Sequence, residues 1–284
     1  MAEGTLAGHR SLIVGGAGGI GRASARAMLA DGAHVTIAGR TLEKLEAFAA
    51  ELEPLAKESG GSIDCVACDA SDRAQVQAAV AHASAGKGLD SAVAIPGGGG
   101  FAPVLAQSVD DFMGVIDLNL RPTFLIFKYA SLEMIKSGGG SVVCVSSTAA
   151  IMSSQYLAAY CAAKAAIDQF VRVAADEISR HGVRVNAVRP GLTATDTTGD
   201  MVGNEDLMKL FLAEQPLPRP GVGEDQGRVI RFLAGPESGW ITGEAITCDG
   251  GHTIRKFPDL EFMVRGIVGE ETFAAFQRGE DPNP

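Results

Sequence analysis

A serine, a tyrosine and a lysine in the middle of the chain have the types and spacing needed for proton transfer. Tyr160 and Lys164 are four residues apart in an alanine-rich stretch of helical periodicity, so they share one helix face. Ser147 follows the apolar run Val142–Val145, which predicts a buried strand. An ammonium one turn away favours a phenolate and lowers a tyrosine pKa from about 10. The group could exchange a proton with a carbonyl or alcohol, although a tyrosine–lysine pair alone is weak evidence.

A glycine-rich turn near the N-terminus gives a second signal. Gly15, Gly19 and Gly21 follow an apolar strand and open a helix, which lets the backbone approach a pyrophosphate. Gly39 and Arg40 end the second strand without an acidic residue, so the guanidinium could pair with a ribose 2′-phosphate. A solvated loop charge is the alternative interpretation of Arg40.

Composition excludes several classes of protein. The formal net charge of −10 argues against nucleic acid or an anionic membrane as the main partner. No apolar run predicts a membrane span, and the N-terminus lacks the apolar core of a signal peptide. Five cysteines, an odd number, indicate reduced thiols and a cytoplasmic protein, with Cys65 and Cys68 interpreted as core thiols.

Strand-like and helix-like segments alternate along the chain, and no linker divides them before Gly251. Repeated strand–helix units of this length predict a parallel sheet covered on both faces. We therefore predict one doubly wound α/β domain over residues 1–251, with about seven strands and a C-terminal extension over residues 252–284. The predicted strands are 10–14, 34–38, 62–67, 90–95, 141–145, 183–188 and 245–248.

The motifs, taken in order over roughly residues 6–251, resemble those of the short-chain dehydrogenase/reductase family, which has a Rossmann-type fold. The matching residues are Gly15, Gly19, Gly21, Asp69, Asn119, Ser147, Tyr160, Lys164, the run Asn186 to Gly191, Thr242, Gly243, and Asp249 to Gly251.

The resemblance implies roles for these positions. Tyr160 is expected to be the general acid/base, with Lys164 lowering its pKa and binding the nicotinamide ribose. Ser147 is expected to polarise the substrate carbonyl, and Asn119 to hold a water in a proton relay, although a structural amide is the alternative for Asn119 alone. The expected cofactor contacts are Gly15, Gly19, Ile20, Gly21, Arg40, Asp69, Ala70, Gly97, Tyr160, Lys164, Pro190, Gly191, Thr193 and Thr195. No metal site is expected.

Two positions depart from the family pattern. Val14 stands where a threonine is usual, and Ala94-Ile95-Pro96-Gly97 replaces the usual Asn-Asn-Ala-Gly. We expect Val14 and Ala94 to face each other as an apolar substitute for a polar pair, because replacing both members can be nearly neutral. The changed turn is also the one argument for a catalytically silent dinucleotide-binding sensor.

The sequence thus predicts an NADP(H)-dependent oxidoreductase acting on a carbonyl or secondary alcohol, with an NAD-linked alcohol dehydrogenase as the alternative. The substrate is a small molecule, and apolar residues between Asp196 and Pro220 favour an apolar portion, unless they form a lid packed on the core. A homo-oligomer, dimeric or tetrameric, is expected from the family. Apolar residues after Gly251 predict either an assembly surface or packing on the same subunit.

Overall fold

The computed structural model describes residues 4–95 and 97–280, over which strands and helices alternate. The strands are β1 (Arg10–Val14), β2 (His34–Gly39), β3 (Ser62–Ala67), β4 (Ser91–Ala94), β5 (Gly140–Val145), β6 (Val183–Pro190), β7 (Thr193–Ala194), β8 (Gly221–Val222) and β9 (Ala245–Cys248). The helices are α1 (Gly19–Ala30), α2 (Leu42–Ser59), α3 (Arg73–Ser84), α4 (Val109–Ser137), α5 (Ala158–Ile178), α6 (Gly199–Val202), α7 (Glu205–Ala213), α8 (Gly223–Ala234), α9 (Glu261–Val268) and α10 (Glu270–Gln277).

The main sheet is parallel, and within the described residues it has seven strands in the order β3-β2-β1-β4-β5-β6-β9. This confirms the predicted doubly wound fold. The strand order reverses between β1 and β4, and the carboxyl ends of strands on either side of such a point border a crevice in which ligands bind.

Alternation of side chains along each strand builds one core on each face of the sheet. Leu12 and Val14 point into the layer formed with α3, α4 and α5, where Ile126 and Ile167 are fully buried. Ile13, between them, points into the opposite layer formed with α1, α2 and α8. Because both faces are covered, the central strands read as continuous apolar runs.

Polar side chains set the starts of two helices. The Asp72 carboxylate accepts hydrogen bonds from the N–H groups of Ala74 and Gln75, so α3 starts at Arg73. The Ser108 hydroxyl accepts from the Asp111 N–H and caps α4, which starts at Val109. No helix within the described part of the chain is long and apolar enough to cross a membrane.

The tail, residues 252–280, forms two short helices that the sequence analysis did not predict. Leu260, directly before α9, and Val264 and Phe273 on the two helices are buried within the same chain, whereas Phe262 and Ile267 are exposed. Packing on its own subunit therefore accounts for part of the tail's apolar surface. The short parallel pair β7–β8 was also not predicted, and two residues a strand are too few to give a periodic signal.

Candidate functional site

The carboxyl edge of the sheet brings the sequence-predicted site residues together. Gly15, Gly19, Ile20 and Gly21 join β1 to α1; Arg40 follows β2; Asp69 and Ala70 follow β3; Gly97 follows β4; Ser147 follows β5; and Pro190, Gly191, Thr193 and Thr195 end or follow β6. Tyr160 and Lys164 lie in the first turns of α5, and Asn119 lies in α4.

Ser147, Tyr160 and Lys164 form one connected group. The Ser147 hydroxyl lies close enough to Tyr160 to lower the pKa of the tyrosine, and its oxygen accepts from the Ala149 N–H at 3.2 Å. Lys164 is buried, and its Nζ lies 5.4 Å from the centroid of the Tyr160 ring and donates to the Val145 carbonyl at 3.0 Å. Ser146 donates to the Lys164 carbonyl at 3.2 Å, which fixes the start of α5 against the end of β5.

Burial dominates the electrostatics of the group. It raises the pKa of the Tyr160 hydroxyl, and the nearby Ser147 hydroxyl opposes that rise. It lowers the pKa of the Lys164 ammonium to about 8, against the opposing effects of Cys144 and Asp168. Lys164 is not among the causes of the Tyr160 shift, so the expectation that it lowers the tyrosine pKa stays a prediction. Tyr160 is a protonated donor at neutral pH.

The glycine turn after β4 is bound by Asn119. The Asn119 carboxamide is fully buried; its Nδ2 donates to the Gly98 carbonyl at 2.8 Å, and its Oδ1 accepts from the Gly98 N–H at 3.3 Å. A methyl group added at Gly97 would overlap Asn119 Oδ1 and lie 3.3 Å from Lys164 Nζ. One added at Gly99 would lie 3.0 Å from Tyr160 Cβ. The turn therefore passes directly over the proton-transfer group; Pro96 lies outside the described residues.

The turn between β1 and α1 fits the pyrophosphate of a dinucleotide. Gly15 has a φ of 92°, in the left-handed region that favours glycine, and a methyl group at Gly21 would overlap the Gly15 carbonyl oxygen. Among the described residues no side chain caps α1, and its first turn carries no acidic residue. The N–H groups of that turn are thus left for an anion.

Different side chains lie on the two sides of the turn between β1 and α1. Arg40 is exposed at the end of β2 and close enough to Asp69 to lower its pKa, although the larger causes are the hydrogen bonds that Asp69 accepts from Ser71. On the other side Thr195 packs on this turn: a methyl group added at Gly19 would lie 2.8 Å from Thr195 Cγ2. Thr193 is buried, and its hydroxyl donates to the Gly191 carbonyl at 2.9 Å.

A buried ion pair next to Lys164 escaped the sequence analysis. Asp168 lies one turn after Lys164 on α5, and its Oδ2 accepts from Arg189 Nε at 2.6 Å. Arg189 also donates to the Ala245 carbonyl at 3.0 Å, which ties α5 to β6 and β9. The available signal was the four-residue spacing, which places a second charged residue on the buried face of the helix.

Tyr156, four residues before Tyr160, has a φ of 66°. Left-handed backbone costs a residue with a side chain about 1–2 kcal/mol, and no sequence pattern announces it. The carbonyl of Tyr156 accepts from the Ala102 N–H at 2.8 Å, so it joins the segment before α5 to the loop after β4.

Val14 and Ala94 are direct neighbours in the sheet. They are Cα partners in the β1–β4 register, and both are buried in the same core cluster. The expectation that the two positions face each other as an apolar pair is confirmed in its geometry. Cys68, one of the two predicted core thiols, is buried and Cys65 is partly buried, and both are free.

Comparison with known proteins agrees with this geometry. A family model described as enoyl-(acyl carrier protein) reductase matches residues 15–253. Oxidoreductase asL5 of Sarocladium schorii is 34% identical over 87% of this chain and 96% of its own length. The 3-oxoacyl-[acyl-carrier-protein] reductase FabG of Rickettsia conorii is 31% identical over 87% of this chain and 97% of its own.

A solved structure gives the same answer. A short-chain type dehydrogenase/reductase from Mycobacterium ulcerans is 33% identical, with a TM-score of 0.89 over 95% of this chain and 99% of that one. Fold, site geometry and relatives agree, and the chain is a member of the short-chain dehydrogenase/reductase family, an oxidoreductase whose family binds a nicotinamide dinucleotide.

Proposed function

We propose that the chain transfers hydride between NADP(H) and a small carbonyl compound or secondary alcohol. The observation that carries the proposal is the placement of Tyr160 beside the buried Lys164 and below the glycine turn after β4, with the Ser147 hydroxyl close enough to lower the tyrosine pKa. Two hydroxyls placed this close together can both reach one substrate oxygen.

Each of these residues has one task in the proposal. Tyr160 donates its proton to the carbonyl oxygen in reduction and accepts it back in oxidation, while Ser147 polarises the carbonyl. Lys164 holds the nicotinamide ribose and places a positive charge beside the tyrosine. Asn119 holds the turn at Gly98 over the group, which supports a positioning role in place of the expected water contact. The bound nicotinamide supplies the hydride.

NADP(H) is the cofactor we propose, with NAD(H) as the alternative. Arg40 is exposed directly after β2 and follows Gly39. The chain therefore has no carboxylate at this position to accept a hydrogen bond from a ribose 2′-hydroxyl. Its guanidinium could bind a 2′-phosphate with two parallel hydrogen bonds.

The protein is proposed to be a cytoplasmic homo-oligomer, dimeric or tetrameric. The five cysteines are free, as in a reducing compartment. Apolar side chains are exposed along α4, at Val109, Met113, Phe124 and Leu132. Such a patch usually marks an interface between proteins.

Tyr160→Phe tests the catalytic proposal. The variant keeps the ring against Gly99 but removes the proton donor, so we expect NADPH to bind with unchanged affinity and turnover to fall by about 10²–10⁴-fold. Ketones, quinones and acyl thioesters would be assayed with NADPH and NADH, and cofactor binding measured by fluorescence. Near-normal kcat in the variant would contradict the role of Tyr160; no turnover of any substrate by the parent protein would favour the sensor alternative.

A further inference from the structure

An apolar cluster joins the tail to the loops that surround Tyr160. Its buried members are Leu207, Met208, Phe211 and Leu260, and we call it the outer cluster. Leu260 belongs to the tail, and the other three belong to α7. Phe101, which follows the glycine turn after β4, and Leu192, which follows β6, pack against the cluster. The tail thus reaches both loops that border the proposed substrate site.

Tyr156 links the tail to the site on a second side. Its hydroxyl donates to Glu261 in α9 at 3.5 Å, and its ring centroid lies 6.3 Å from that of Phe273 in α10. Helix α10 also packs against the turn Val104–Ala106. Because Tyr156 precedes the catalytic tyrosine by four residues and is bonded to Ala102, these contacts close the space between the loop after β4 and the start of α5.

The beginning of the tail is fastened to α7. Arg255 donates to the Ala213 carbonyl at 2.7 Å, and Lys256 forms an ion pair with Glu214 at 3.6 Å. The buried His252 ring stacks on Phe257 at 6.2 Å between centroids. The tail is therefore held at its start by α7 and at α10 by Tyr156.

From these contacts we infer that the tail is the outer wall of the substrate site and limits the size of the substrate that the enzyme accepts. The inference rests on the proposed function. The substrate class it assigns is a free, compact carbonyl or alcohol compound with an apolar body.

The chemistry of the wall supports that class. The tail residues Phe257 and Met263 pack on the outer cluster together with Phe101 and Leu192 of the two loops, and none of these side chains carries a charge. The charged side chains of α9 are already engaged: Arg265 bonds to Glu261 at 2.9 Å and its guanidinium lies 4.1 Å from the Phe273 ring centroid. The match to the family model ends at residue 253, so the tail lies outside the matched part of the chain.

Substrate size is the direct test. Met263→Ala shortens a half-buried residue of the wall. With NADPH as cofactor, kcat/KM is measured for a large and a small cyclic ketone. We expect the ratio of the large-ketone value to the small-ketone value to rise at least tenfold in the variant. Phe262→Ala is the matched control: Phe262 is the preceding residue of the same helix, 60% exposed, and its removal should leave the ratio within twofold. The dissociation constant of NADPH should stay the same in both variants. An equal ratio in the parent chain and Met263→Ala would overturn the inference.

Hydrogen exchange tests the wall without requiring turnover. Phe273→Ala should release α10, so amides in residues 99–106 and 154–160 should exchange at least tenfold faster, while those of β1 and α1 stay protected. Unchanged exchange in these two segments would show that the tail does not cover the site. If the parent chain reduces no carbonyl compound, the proposed function fails, and the exchange result still decides whether the tail is a wall.

Discussion

At the scale of single residues, burial favours the uncharged form of both Tyr160 and Lys164, so it shifts their pKa values in opposite directions. Burial keeps Tyr160 protonated and makes Lys164 easier to deprotonate than an exposed lysine. Cys144 on β5 and Asp168, one turn after Lys164, oppose the effect of burial and raise the lysine pKa, and Asp168 is itself paired with Arg189 on β6. The charge of Lys164, more than that of Tyr160, should therefore set the working pH range.

The pH profile of carbonyl reduction follows from this. The Lys164 pKa of about 8 lies below the ordinary lysine value of 10.5, so the positive charge is present below pH 8 and is lost as pH rises through it. We expect kcat/KM to be level up to about pH 8 and then to fall up to tenfold per pH unit. Initial rates with NADPH in constant-ionic-strength buffers would measure this, and a profile level to pH 10 would contradict it.

Arg40 determines the choice of cofactor in our proposal. Arg40→Ala should lower kcat/KM for NADPH by about 10–100-fold, the worth of a charge-assisted pair, and leave that for NADH unchanged. Lys57→Ala, which removes an exposed lysine from the far end of α2, is the control. Equal effects on the two cofactors, or a parent chain that prefers NADH, would show that Arg40 has another role.

At the scale of elements, the turn after β4 places backbone where side chains do not fit. Gly99→Ala would push a methyl group against the Tyr160 ring, and a shift of about 1 Å at the reacting group can cost about 10²-fold in kcat. Gly100→Ala is the matched control, because a methyl group there meets nothing within 4 Å. Similar kcat values for the two variants would show that the turn does not position the tyrosine.

The apolar pair at the ends of β1 and β4 makes its own prediction. Val14→Thr and Ala94→Asn each bury an unpaired polar group in a cluster of apolar side chains, so each should cost about 1–3 kcal/mol of unfolding free energy. The double variant should cost at least about 0.5 kcal/mol less than the sum, because the positions are register partners. Urea unfolding of the four proteins measures the coupling, and strict additivity would mean that the pair is not a unit.

Local patterns were enough to predict the sheet, its long helices and the placement of Ser147, Tyr160 and Lys164 on neighbouring elements. They were not enough for features that arise when distant segments meet. The Asp168–Arg189 pair joins residues 21 apart in the chain, and the burial that raises the Tyr160 pKa depends on a turn sixty residues before it. The tail helices were missed since eight-residue helices are stabilised by packing, which short sequence windows do not report.

At the scale of the whole molecule, two exposed apolar surfaces are candidates for an interface between subunits. One is on α4, and the other is the exposed part of the tail with Phe262 and Ile267. Phe124→Glu, which changes an exposed phenylalanine on α4, should reduce the molecular mass measured by light scattering at micromolar concentration. Truncation after Thr253 should leave the number of subunits in the assembly unchanged, because the tail's largest buried side chains pack on their own chain. The reverse pattern would assign assembly to the tail.

The left-handed backbone of Tyr156 makes the residue type at this position depend on the presence of the tail. Glycine would adopt that conformation without cost, so a tyrosine is favoured there only while Glu261 and Phe273 hold its side chain. A descendant that lost the tail would keep the cost and lose the contacts. Tyr156 and the tail should therefore be inherited together, and shortened relatives should carry glycine or asparagine at this position.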